Sequence, residues 1–133
     1  ASPARRAWSG LTYEQVCKDH INQIKQTLGI SGVLTEVSTW NKQGDDDENG
    51  AQIDLIIERR DRVINLCEIK FAGREYEIDK TYDLTLKNKV EVFRKATKNT
   101  NTIIITMITT YGVKKNMYSN YIGKEVCMEN LFT

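Results

Sequence analysis

The run from Thr102 to Thr109, TIIITMIT, constrains the fold more than any other stretch of the chain. Seven of its eight residues are β-branched, which favours an extended strand over a helix. Side chains alternate faces along a strand, and here apolar groups stand at both odd and even positions. Such a strand needs cover on both faces of its sheet. A chain containing it is expected to be layered, with helices on either side of a central sheet.

Two segments supply helical periodicity. Within 11–28, Cys17, Ile21, Ile24 and Leu28 recur at spacings of four, three and four, forming one apolar stripe. Thr12 followed by Gln15 has the form of a capping box, and Gly29 provides a stop. Within 80–98, Tyr82, Leu86, Val90 and Phe93 form a second stripe. Strands are expected over 32–40, 51–58 and 63–71, the last two joined by the charged turn Arg59-Arg60-Asp61-Arg62, and a short final strand near 125–128. The order is helix, three strands, helix, strand, strand. At 133 residues this is one α/β domain with its own core.

Composition removes several classes of function. A net charge of +1 provides no global field for non-specific binding to nucleic acid, so any such contact must come from a local patch. Cys17, Cys67 and Cys127 are widely spaced and odd in number, and His20 is the single histidine, which argues against a zinc site or a disulfide framework. Reduced thiols in a cytoplasmic protein are the expectation. No apolar run is long enough to span a membrane, and no signal-peptide pattern is present. A GxxxxGK phosphate-binding loop is also lacking, so ATP binding of that kind is not expected.

The candidate chemistry lies in the hairpin formed by 51–58 and 63–71. With the turn centred on Asp61, opposed residue numbers sum to 122, pairing Ile56 with Leu66, Asp54 with Glu68 and Gln52 with Lys70. Apolar side chains then meet at one end of this face and charged ones at the other. Two carboxylates facing each other repel and need a cation or a shared proton between them. Lys70 supplies part of that charge and a hard divalent ion such as Mg²⁺ supplies more, and a solvated hairpin edge with a compensating lysine is the alternative. Glu14 falls on the apolar stripe of the first helix. Either it aims inward at the same acidic site, or it is a first-turn glutamate reaching solvent past the helix end.

The stretch Gly50-Ala51-Gln52-Ile53-Asp54, followed by Glu68-Ile69-Lys70, resembles the PD-(D/E)XK nuclease signature. That signature has an Asp on one strand and, on the next, Asp or Glu, any residue, then Lys. More specifically, the chain is similar to the nuclease-like domain at the C-terminus of a group of prokaryotic AAA-type ATPases. The matching stretches are Trp8 to Glu14, Gly50 to Phe71 and Met107 to Val113. Ile53 departs from the pattern at the position of the eponymous proline. The resemblance implies a restriction-endonuclease-like core, α-β-β-β-α-β, with a mixed central sheet flanked by helices. It implies catalytic roles for Asp54, Glu68 and Lys70. It also implies Mg²⁺ or Mn²⁺ held by Glu14, Asp54, Glu68 and the carbonyl of Ile69. DNA is the implied substrate and an ATPase domain of the parent chain the implied partner; a non-cutting module that docks nucleic acid or protein is the alternative.

Other residues admit two readings. Lys80, Lys87 and Arg94 repeat every seven residues beside the second stripe, with Lys98 following. They form either a phosphate-facing row, with Lys87 and Arg94 as the nucleic-acid contacts, or a solvated helix face. The run from Asp45 to Glu48 reads as an acidic loop rather than a ligand set, and His20 as structural or exposed rather than catalytic. Tyr111, Tyr118 and Tyr121 either stack bases or anchor a long loop.

Overall fold

The computed structural model describes residues 3–132, with side chains from Gly10 onward. The side chains of Trp8 and Ser9, part of the first matching stretch, lie outside the described residues. Five strands form one mixed sheet whose spatial order follows the chain: β1 (Thr35–Lys42), β2 (Ala51–Arg59), β3 (Val63–Lys70), β4 (Thr102–Thr109) and β5 (Lys124–Cys127). The first three strands are antiparallel neighbours, whereas β3, β4 and β5 run parallel. One face is covered by α1 (Pro3–Asp19), α2 (Ile21–Thr27) and a C-terminal 3₁₀ turn, the other by α3 (Lys80–Thr97). The molecule is thus an α/β domain with a five-stranded mixed sheet between helices, consistent with a restriction-endonuclease-like core.

Two apolar cores result, one on each side of the sheet. Tyr13, Cys17 and Ile24 from the first helices meet Leu55, Ile57, Cys67, Ile69 and Ile108. On the opposite face Leu86 and Phe93 of α3 meet Ile53, Ile56, Ile64, Leu66, Ile105 and Met107. β4 contributes to both cores, as its composition requires.

The expected helix over 11–28 is instead two helices. The backbone N–H of His20 bonds Cys17 O at 3.0 Å, and its ring nitrogen Nδ1 lies 2.7 Å from Val16 O. A carbonyl can only accept, so Nδ1 carries the proton. The imidazole thereby takes the acceptor that the helix would have used, and the chain turns. Thr12 lies inside α1 and is no capping residue. Gly29 does end α2: it adopts φ +74°, while Ile30 N–H bonds Lys25 O and Gly29 N–H bonds Gln26 O, a Schellman motif.

Hairpin register follows the sum of 122 from Glu58–Ile64 to Leu55–Cys67, and there the ladder stops. Ser38 pairs with Ile56 but Trp40 pairs with Ile53, so Asp54 and Leu55 together oppose Thr39. This is a β-bulge, and it reverses the phase of β2. Ile53 joins Ile56 in the α3-side core, which regular alternation forbids. The expected pairings of Asp54 with Glu68 and of Gln52 with Lys70 are not part of the ladder: Glu68 pairs with Met107, Gln52 with Asn41 and Lys70 with Thr109. Beyond Leu55 and Cys67 the two strands part, and the site lies at that fork.

Candidate functional site

Asp54 and Glu68 stand on either side of the fork and replace the missing ladder bonds with side-chain ones. Ile69 N–H donates to Asp54 Oδ2 at 2.9 Å, and Asp54 N–H donates to Glu68 Oε2 at 3.3 Å. Each carboxylate therefore satisfies a backbone donor that the divergence of the strands would strand. Asp54 Oδ1 accepts no hydrogen bond from the described residues. The fork opens at the C-terminal ends of the parallel strands β3 and β4, where open α/β sheets place their ligands.

Glu68 is only 1% exposed. Lys89 Nζ of α3 donates to its Oε1 at 2.5 Å, and Tyr82 OH lies 3.4 Å from the same oxygen. Burial pushes the Glu68 carboxyl up from its ordinary pKa, and the nearby Asp54 charge adds to this, against the pull of Lys89. Tyr82 is pushed up by burial and by Glu68, which holds its hydroxyl protonated as a donor.

The sequence left open whether Lys70 compensates the acidic pair; the cation that pairs with Glu68 is Lys89. Lys70 forms no ion pair among the described residues. Its ammonium sits 4.8 Å from the ring centroid of Tyr82 and 6.0 Å from that of Tyr76. Tyr82 consequently links the two groups, its hydroxyl on Glu68 and its ring face under Lys70. Lys89 lies off the seven-residue row of Lys80, Lys87 and Arg94, which is why that row does not point to it. The signal was present: Lys89 is three residues after Leu86 and four before Phe93, both buried on the core side of α3.

Glu14 pairs with Lys18 at 3.0 Å, one turn along α1, and is half-buried. It lies near enough to Cys17 that its charge, with that of Asp54, adds to burial in raising that thiol to about 12. No group of three or more His, Cys, Asp or Glu side chains poised to hold a metal occurs among the described residues. The structure thus unites Asp54, Glu68, the Ile69 backbone and, through Tyr82, Lys70, and leaves Glu14 engaged with Lys18.

The other candidates have different partners. Lys87 bonds Asp83 at 2.8 Å and lies 5.4 Å from the centroid of Tyr121. Arg94 donates to the carbonyls of Asn99 and Asn101, holding the turn between α3 and β4. Neither touches the carboxylate pair. In the acidic loop, Asp45 accepts from the N–H groups of Asp47 and Glu48, and Glu48 pairs with Lys42 and Lys95. His20 is structural, as the helix break shows. Cys17, Cys67 and Cys127 are free thiols, the first two buried. No helix among the described residues is long and apolar enough to cross a membrane.

No protein-family model matches the chain, and no curated protein does. Among solved structures it is similar to the crystal structure of AF1548, a protein of unknown function. The TM-score is 0.55 at 17% identity, over 90% of this chain. The chain spans 64% of the length of that neighbour. At this identity the likeness speaks for the fold alone.

Proposed function

We propose that this chain is a metal-dependent nuclease domain that hydrolyses DNA phosphodiester bonds, with Asp54, Glu68 and Lys70 as its working residues. The observation that carries the reading is the meeting of Asp54 and Glu68 at the fork between β2 and β3, with Lys70 following on the same strand. An AAA-type ATPase domain as partner is part of the same proposal and rests on the sequence resemblance.

The residues at the fork fit a hard divalent cation. Asp54 Oδ1 is open, Glu68 supplies a second carboxylate and the Ile69 carbonyl a third oxygen, a sparse set that Mg²⁺ or Mn²⁺ completes with waters. When bound, such an ion polarises a phosphate oxygen and lowers the pKa of a coordinated water. Asp54 and Glu68 fix the site on two rigid strands. Lys70, braced by two aromatic rings, presents a positive charge to the oxygens on which negative charge builds. Tyr82 keeps Glu68 and Lys70 in mutual register.

Incubation with supercoiled plasmid and Mn²⁺ or Mg²⁺ tests the reading. Nicking is expected that EDTA abolishes and that Asp54→Ala and Lys70→Ala each lower by about 100-fold or more. Cleavage equal in wild type and both variants contradicts it. One observation favours a second reading, a non-cutting docking module: Lys89 already neutralises Glu68. That reading predicts metal-independent binding of DNA or protein without any nicking.

A further inference from the structure

The two carboxylates at the fork are not equally available, and the difference has a defined cause. A carboxylate offers about four lone-pair positions. At Glu68, Oε1 accepts from Lys89 and Tyr82, and Oε2 accepts from the Asp54 backbone. At Asp54, Oδ2 accepts from Ile69 N–H and Oδ1 stays open. A cation approaching the fork thus meets one open ligand and one already occupied by an ammonium.

We infer that Lys89 is an internal counter-ion that closes Glu68 to divalent cations, so that Lys89 and a metal ion compete for one carboxylate. This rests on the reading of Asp54 and Glu68 as a cation site. The competition is built into the fold. Leu86 and Phe93 seat α3 against the sheet, which fixes the Lys89 backbone over Glu68. The side chain is 15% exposed, so it borders solvent at its edge and is not sealed in. Glu68 has no such exit, being 1% exposed on a central strand. Loading the site therefore requires the lysine to move, since a dication and an ammonium on one oxygen repel. Removing the ammonium relieves that repulsion and strengthens metal binding. A residue that merely supports the site gives the opposite result.

Mn²⁺ binding measured by loss of the free-ion EPR signal tests this. Lys89→Gln keeps an N–H donor toward the buried carboxylate but removes the charge. It is expected to bind Mn²⁺ about tenfold more tightly than wild type, and Lys89→Arg no more tightly than wild type. Equal or weaker binding by Lys89→Gln overturns the inference while leaving the cation site standing. Adding Asp54→Asn to Lys89→Gln must abolish the gain. Absence of binding by all forms, or binding indifferent to Asp54→Asn, overturns the cation site and the inference together. A second measurement uses the unaltered protein: acetic anhydride labelling read by mass spectrometry. Lys89 is expected to react faster with Mg²⁺ present than without it. An unchanged rate overturns the competition.

Discussion

A buried carboxylate beside another carboxylate costs free energy, and at Glu68 that cost depends on pH. Glu68 titrates above its ordinary value of 4.5 because burial and Asp54 outweigh Lys89. As pH rises past 4.5 the unfolded chain releases this proton first, so the native state holds more protons and loses stability. The contribution is full at low pH and is lost as pH passes through the folded-state pKa. Urea unfolding should therefore show Glu68→Gln gaining on wild type as pH rises above 4.5, with the gap levelling once Glu68 ionises in both states. A gap that narrows with rising pH contradicts the assignment. Lys89→Ala carries the complementary expectation at neutral pH. Stranding the buried charge should cost about 3–5 kcal/mol, and less if Glu68 takes up a proton instead. At this scale Glu68 and Lys70 share one face of β3 as alternation expects, whereas the simple register ends at Leu55 and Cys67, so Asp54 meets Glu68 through side-chain bonds that the register does not describe. Lys89 was not legible, because the match between a helix and a strand distant in sequence is set by packing rather than by local pattern.

Elements were legible where one physical cause dominates and obscure where side chains intervene. The β-branched run of β4, the stripe of α3 and the three antiparallel strands follow directly from periodicity. The break at His20 does not, since the apolar stripe continues across it while the His20 ring meets Val16 O and its backbone N–H moves to Cys17 O. The bulge at Asp54 and Leu55 is equally hidden, because a chain pattern read two residues at a time assumes constant phase. Gly29 gives a clean test of an element boundary. It sits at φ +74° with open space around the position of a Cβ, so a methyl group meets no neighbour there. Gly29→Ala should cost about 1 kcal/mol through backbone strain alone. Gly32, also in open space but without a positive φ, should accept Ala with no loss. Equal effects at the two positions in urea denaturation contradict the Schellman assignment.

For the whole molecule, the sheet with a helical layer on each side predicts which thiols water can reach. Cys17 and Cys67 are wholly buried in the core beneath α1, while Cys127 is partly exposed at the end of β5. A thiol-specific disulfide reagent should modify at most Cys127 in the native protein and all three cysteines after unfolding. Rapid native labelling of Cys17 or Cys67 contradicts the placement of α1. The architecture also sets the site, since the fork, the ends of the parallel strands and α3 converge at one end of the sheet. We propose that this convergence holds a divalent cation between Asp54 and Glu68. Anomalous scattering from crystals soaked in a high concentration of Mn²⁺ tests it most directly. A peak about 2.1 Å from oxygens of both Asp54 and Glu68, with the Lys89 ammonium withdrawn, is the predicted result. A fork without a peak, its Lys89 still on Glu68 while DNA is cut elsewhere or not at all, contradicts the account.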